Sequence, residues 1–172
     1  MTRIYMPKKT EELPESFFAR NSESVAKDLL GRTLVRKREG EKNFIASIRE
    51  IAAWEGDAMA SRYEGILNAP GTIFIPIQYG KPIFGLATDA IGKPSCVTLI
   101  SAIVGNKKEG GELIKGPGNL SKALAIDKDS FDGLPLRLSP LWISGQPVES
   151  ERILKRNKSN VPDNCIGYFY FR

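Results

Sequence analysis

The segment at residues 70–88, PGTIFIPIQYGKPIFGLAT, sets the tightest limit on how this chain can fold. It reads as two apolar runs joined at Tyr79-Gly80-Lys81-Pro82, a hairpin with an aromatic and a lysine at its tip. Pro76 lies inside the first run. Proline donates no ladder hydrogen bond, so that strand is expected at an edge or with a bulge. A tyrosine at the tip has no core to fill. It either packs on a neighbouring loop or serves as a wedge between bases of a duplex.

The rest of the chain reads as α+β. Residues 1–14 are polar and are expected to form a flexible arm, with one domain over 15–172. Residues 16–30 look helical, with Asn21 or Ser22 as a cap, Val25, Leu29 and Leu30 on one face and Gly31 as the stop. Strands are expected at 33–38, 43–54, 72–79, 83–88, 96–104 and 167–172, and one or two more within 131–144. In the long strand, period two places Phe44, Ala46, Ile48, Glu50, Ala52 and Trp54 on one face. Gly116-Pro117-Gly118-Asn119 introduces a short helix over 120–126, with Asn119 as its cap and amides able to hold a phosphate. The expected architecture is a single domain: a twisted, mostly antiparallel sheet with a protruding hairpin and peripheral helices.

Composition narrows the chemistry. At 172 residues the chain is long enough for a core without a disulfide or metal staple. There is no histidine, which excludes a histidine metal site and a Ser-His catalytic pair. Cys96 and Cys165 lack CxxC spacing and are expected to be small buried hydrophobes. No apolar run is long enough for a membrane span, and a secretory signal pattern is missing. A cytoplasmic location is the expectation, or a nuclear one in a eukaryotic cell. The net charge of +5 permits a polyanionic partner. Lysines and arginines cluster at Arg32 and Arg36 to Arg38, at Lys107, Lys108, Lys115 and Lys122, and at Arg152, Lys155, Arg156 and Lys158. Each cluster is either a solvated face or part of a nucleic-acid footprint.

Taken in order, FFARNSESVAKDLLGRTLVRK, IREIAAWEGD, ASR, PGTIFIPIQYG, GKPSCVTLISAIV, IKGPGNLSKALAID, RIL and YFYFR resemble the alkyladenine (3-methyladenine) DNA glycosylase family. The resemblance runs from about Phe17 to Arg172. It implies a base-excision enzyme without metal or organic cofactor, binding duplex DNA as a monomer through the minor groove. A damaged purine would rotate out of the helix into a pocket, and a glutamate would activate water against the glycosidic bond.

Carried over residue by residue, the resemblance gives Tyr79 the intercalating role and Lys81 a backbone phosphate. Gly80, Gly118, Asn119 and Lys122 fall on the same DNA-facing side. Phe74 and Trp54 fall on pocket tyrosines, and Trp54 still offers a stacking face. The chemistry carries over less well. Ala52 occupies the position of the water-activating glutamate. Arg62 stands at the pocket histidine, Pro76 at a second stacking tyrosine, Leu86 at a purine-reading asparagine, and Ser101 at an arginine that helps hold the water. The frame keeps the family pattern while nearly every position touching the reacting nucleotide has changed.

Three readings stay open. An active glycosylase would need a substitute base, for which Glu50, Glu55 and Asp57 are the candidates. Glu50 is two residues from Ala52, about 6–7 Å along the strand, and would have to reach the water. A second reading is a DNA- or lesion-binding pseudoenzyme. A third is an altered scaffold with a refitted apolar pocket and no DNA role.

Overall fold

The strand β2 (Phe44–Glu55) organises the molecule, because it pairs along both sides. The computed structural model of the protein describes residues 8–57, 64–105, 111–157 and 165–172. On one side β2 runs antiparallel to β7 (Ser95–Val104). On the other, its first half pairs with β1 (Thr33–Arg36) and its second half with β11 (Cys165–Tyr170). The nine-stranded sheet runs β10 (Leu154–Arg156), β11, β2, β7, β6 (Gly85–Ala87), β3 (Ile73–Phe74). Off that path, β1 also pairs with β9 (Leu141–Ser144), and β8 (Glu112–Lys115) pairs with β7. Among the described residues every pairing is antiparallel, in keeping with the mostly antiparallel sheet that the sequence predicts.

Four α-helices lie at the margins of the described residues: α1 (Glu15–Phe18), α2 (Ser22–Leu29), α3 (Pro117–Ala123) and α4 (Lys128–Phe131). The helix expected over 16–30 is therefore two, and Asn21 separates them. Its side chain accepts a hydrogen bond from the Ser24 amide at 2.9 Å, fixing the start of α2. Val25, Ala26 and Leu29 of α2 enter the main core with Ile48, Ile51, Leu99 and Phe169. The second half of the predicted arm is docked. Leu13 donates its amide to the Ile143 carbonyl at 2.9 Å and packs on that core. Residues 131–144 hold one strand, because Phe131 ends α4 and Leu136–Leu138 forms a 3-10 turn. β8 and β10, both short edge strands, carry no alternation that would have announced them.

The expected single face of β2 is corrected by a double bulge. Ile48 pairs with Ala102, Glu50 with Ser101 and Ile51 with Leu99. Arg49 on β2 and Ile100 on β7 are thus each an extra residue opposite the partner strand. Ile48 and Ile51, three positions apart, both face the main core, as do Leu99 and Ala102. Phe44, Ala46 and Ile48 therefore do not share a face with Ala52 and Trp54. Beyond the bulge, Ala52 and Trp54 turn to the opposite side of the sheet, where they meet Ile100 and Tyr168.

Pro76 is buried and breaks the predicted strand at 72–79 into β3 and β4 (Ile77–Gln78). β3 ends the sheet path, the edge placement proline requires. β4 pairs only with β5 (Lys81–Pro82), forming a separate two-stranded ribbon. No helix among the described residues is long and apolar enough to cross a membrane.

Candidate nucleic-acid interface

The ribbon projects the tip into solvent. Gln78 pairs with Lys81, so Tyr79 and Gly80 are a two-residue loop. Both have positive φ, 51° and 75°, as a type I′ hairpin turn requires. Glycine adopts that conformation freely, whereas for tyrosine it is uncommon and strained. The Tyr79 side chain is fully exposed, at 103% of its reference area. It packs on no neighbouring loop.

Helix α3 holds the ribbon from below. Gly116, at φ 96°, caps α3 and Pro117 opens it, so Asn119 lies inside the first turn rather than at the cap predicted for it. Asn119 instead joins two elements. Its Oδ1 accepts from Lys81 Nζ at 2.9 Å, and its Nδ2 donates to the Lys115 carbonyl at 3.1 Å. The stem of Lys81 lies on Gly118, where an added Cβ would stand 2.8 Å from the Lys81 Cβ and 2.6 Å from its Cδ. Gly118→Ala is therefore expected to lift the ribbon from α3 and cost about 1–3 kcal/mol, measured by urea unfolding. Lys122 is exposed on the same helix.

Between ribbon and sheet is a hollow of about 390 Å³. Tyr79, Lys81, Gly118 and Asn119 line its upper wall, and Ile83, Ile100, Pro117 and Tyr168 are among its apolar residues. Of the residues assigned to DNA intercalation and backbone contact, four thus meet at one opening. The described residues assigned to the base pocket do not line it. Phe74 is buried with Ile66 and Cys96. Leu86 is buried in the main core beside Ile73 and Val97, on the opposite side of the sheet from Trp54. Trp54 is half-buried; its indole N–H donates to Thr98 Oγ1 at 3.0 Å and its ring meets Tyr168 edge-on, with centroids 6.2 Å apart. Ser101 is buried opposite Glu50 in the double bulge. Arg62, Lys107, Lys108 and Lys158 lie outside the described residues.

Ala52 is completely buried, in a cluster closed by Ile100 and Tyr168. The extra residue on β7 supplies Ile100, which nothing in the local sequence signals. Burial, followed by the nearby Cys165 and Glu50, pushes the Tyr168 phenol up, so it stays protonated at neutral pH. The carboxylates considered as substitutes are engaged elsewhere or peripheral. Glu50 accepts from Arg156 Nε at 2.6 Å and also meets its Nη2. Glu55 accepts from the Ser22 hydroxyl at 3.1 Å and the Ser22 amide at 3.3 Å, at the start of α2. Asp57 is exposed. None of the described residues lining the hollow is acidic. Among the described residues no group of three or more carboxylates or cysteines is placed to hold a metal ion.

The sequence profile of the methylpurine-DNA glycosylase family matches residues 16–165. The chain belongs to that family. A relative from Anaeromyxobacter sp. strain Fw109-5, named "Putative 3-methyladenine DNA glycosylase", is 35% identical over 87% of this chain and 81% of its own length. A relative of the same name from Anaeromyxobacter dehalogenans strain 2CP-1 is 32% identical over 87% of this chain and 75% of its own. Another from Desulfitobacterium hafniense strain Y51 is 30% identical over 88% of each chain. The family membership agrees with the resemblance carried by the ordered motifs and extends over the ribbon, α3 and the double bulge.

Proposed function

We propose that this protein is a DNA-glycosylase-like protein that binds duplex DNA through the minor groove at damaged purines, with base release weak or lost. One observation carries the second half: the position expected of the water-activating glutamate is Ala52, sealed under Ile100 and Tyr168. A general base must reach its water within hydrogen-bond distance. Glu50 and Glu55 are held by Arg156 and Ser22 instead. Losing a general base removes on the order of 10²–10⁴ in rate. Cationic alkylpurines, which leave readily, are the substrates on which residual activity would be found first.

Binding is supported by the tip. A fully exposed aromatic beside Lys81, over a hollow with Asn119 on its wall, fits insertion between stacked bases. The test is a single-turnover base-release assay on methylated and hypoxanthine-containing duplex, run beside a binding titration. The expected result is salt-sensitive binding, with slow release from the methylated duplex or none, and none from the hypoxanthine duplex. Rapid release from both would overturn the loss of chemistry. Duplex binding that is absent or indifferent to salt would overturn the DNA role and favour a small ligand in the apolar hollow.

A further inference from the structure

The described mechanism uses Glu50 only as a carboxylate removed from the site, and leaves Arg156 without a purpose. Arg156 is on β10, at the end of the sheet path beyond β11. Its guanidinium lies 5.7 Å from the Tyr168 ring centre and 5.9 Å from that of Tyr170. Tyr168 lines the hollow, so Arg156 stands on its β11 side. Lys81 and Asn119 close the hollow from the β7 side, where α3 packs. Glu50 grips the Nε and Nη2 edge of Arg156. The Glu50 side chain is 12% exposed while that of Arg156 is 45% exposed. A guanidinium has five donors in a fixed fork. One edge is therefore held by an enclosed carboxylate, over two aromatic rings, while the other stays open to solvent. That is the arrangement suited to an oxyanion arriving from outside.

We propose that Arg156 receives a backbone phosphate of the DNA strand that crosses the hollow, opposite Lys81, with Glu50 as its positioning residue. The proposal rests on the duplex-binding reading above and adds a contact on the far side of the opening. It also gives Glu50 a role opposed to that of a substitute base. Glu50 orients the arginine, and its negative charge weakens the attraction for phosphate.

The experiment measures duplex binding by fluorescence anisotropy across a salt series, using the full chain. Arg156→Ala alone would leave an enclosed carboxylate unpaired, so the main variant is Glu50→Gln with Arg156→Gln, which removes both charges together. The double variant is expected to bind about tenfold more weakly at low salt, with the slope of log affinity against log salt reduced by about 0.9, the value of one phosphate contact. Glu50→Gln alone keeps an acceptor for Arg156 and removes the anion. It is expected to bind as tightly as wild type or a few-fold more tightly. An unchanged salt slope in the double variant, with or without a loss of affinity, overturns the proposal. So does weaker binding by Glu50→Gln alone, which would mark the pair as structural. If wild-type binding depends on Tyr79 but not on Arg156, only this contact fails. If wild type shows no salt-sensitive duplex binding, the duplex reading fails with it.

Discussion

Ala52→Glu is expected to destabilise the protein by about 3–5 kcal/mol and to restore no base release. The position has no exposed surface, and its neighbours Ile100, Tyr168 and Trp54 present mostly carbon. A carboxylate placed there loses its hydration without gaining a cation, since Arg156 is already held by Glu50. The longer side chain also overfills a closed cluster. For a chain of 172 residues the melting temperature should fall by on the order of 10 °C. The penalty has a pH signature. Burial raises the folded pKa of the introduced carboxyl above its unfolded value of about 4.3. The difference from wild type should therefore be smallest below about pH 4, where the group is protonated in both states. It should grow as pH rises toward the raised folded pKa. Thermal melts of both proteins across pH check this. A variant as stable as wild type that releases methylated purines would show that Ile100 and Tyr168 yield readily, and that one residue separates this chain from catalysis.

Tyr79→Asn is expected to move stability and binding in opposite directions. Asparagine followed by glycine is a preferred pair for a type I′ turn, whereas tyrosine at φ 51° is held in a conformation it resists. The ring is fully exposed and forfeits no packing when removed. Unfolding free energy should rise by about 0.5–1 kcal/mol. Affinity for a lesion-containing duplex should fall about 5- to 150-fold, the equivalent of the roughly 1–3 kcal/mol of one stacked base. Urea unfolding and anisotropy titration of the same preparation give both numbers. Unchanged affinity would remove the wedge from the account. The turn thus carries a residue poorly suited to turning, which is hard to explain unless the ring acts outside the fold.

What could be read from the chain follows from how far each signal reaches along it. The tip at Tyr79-Gly80, the cap at Asn21 and the breaking effect of Pro76 are local chemistry, and each was legible. Their setting was not. The double bulge arises from pairing between residues about fifty positions apart, and it alone decides that Phe44, Ala46 and Ile48 turn away from the side on which Ile100 covers Ala52. Glu50 looked available because its partner, Arg156, is 106 positions away on a strand too short to show a pattern. Leu86 follows the hairpin, where the resemblance expects a pocket residue, yet strand parity sends it into the core. Ile83 and Tyr168 line the hollow without any local mark of that role.

The interruption at Pro76 has a consequence for how such a molecule can change. At the Pro76 break, the Ile83 amide donates to the Pro76 carbonyl at 2.9 Å, while the ribbon above it pairs only with itself among the described residues. A lengthened, shortened or rewritten tip would therefore not shift the alignment of the strands below. The probing element can be retooled over generations while the scaffold keeps its register, and the reverse holds as well: the cavity floor can be silenced without blunting the probe.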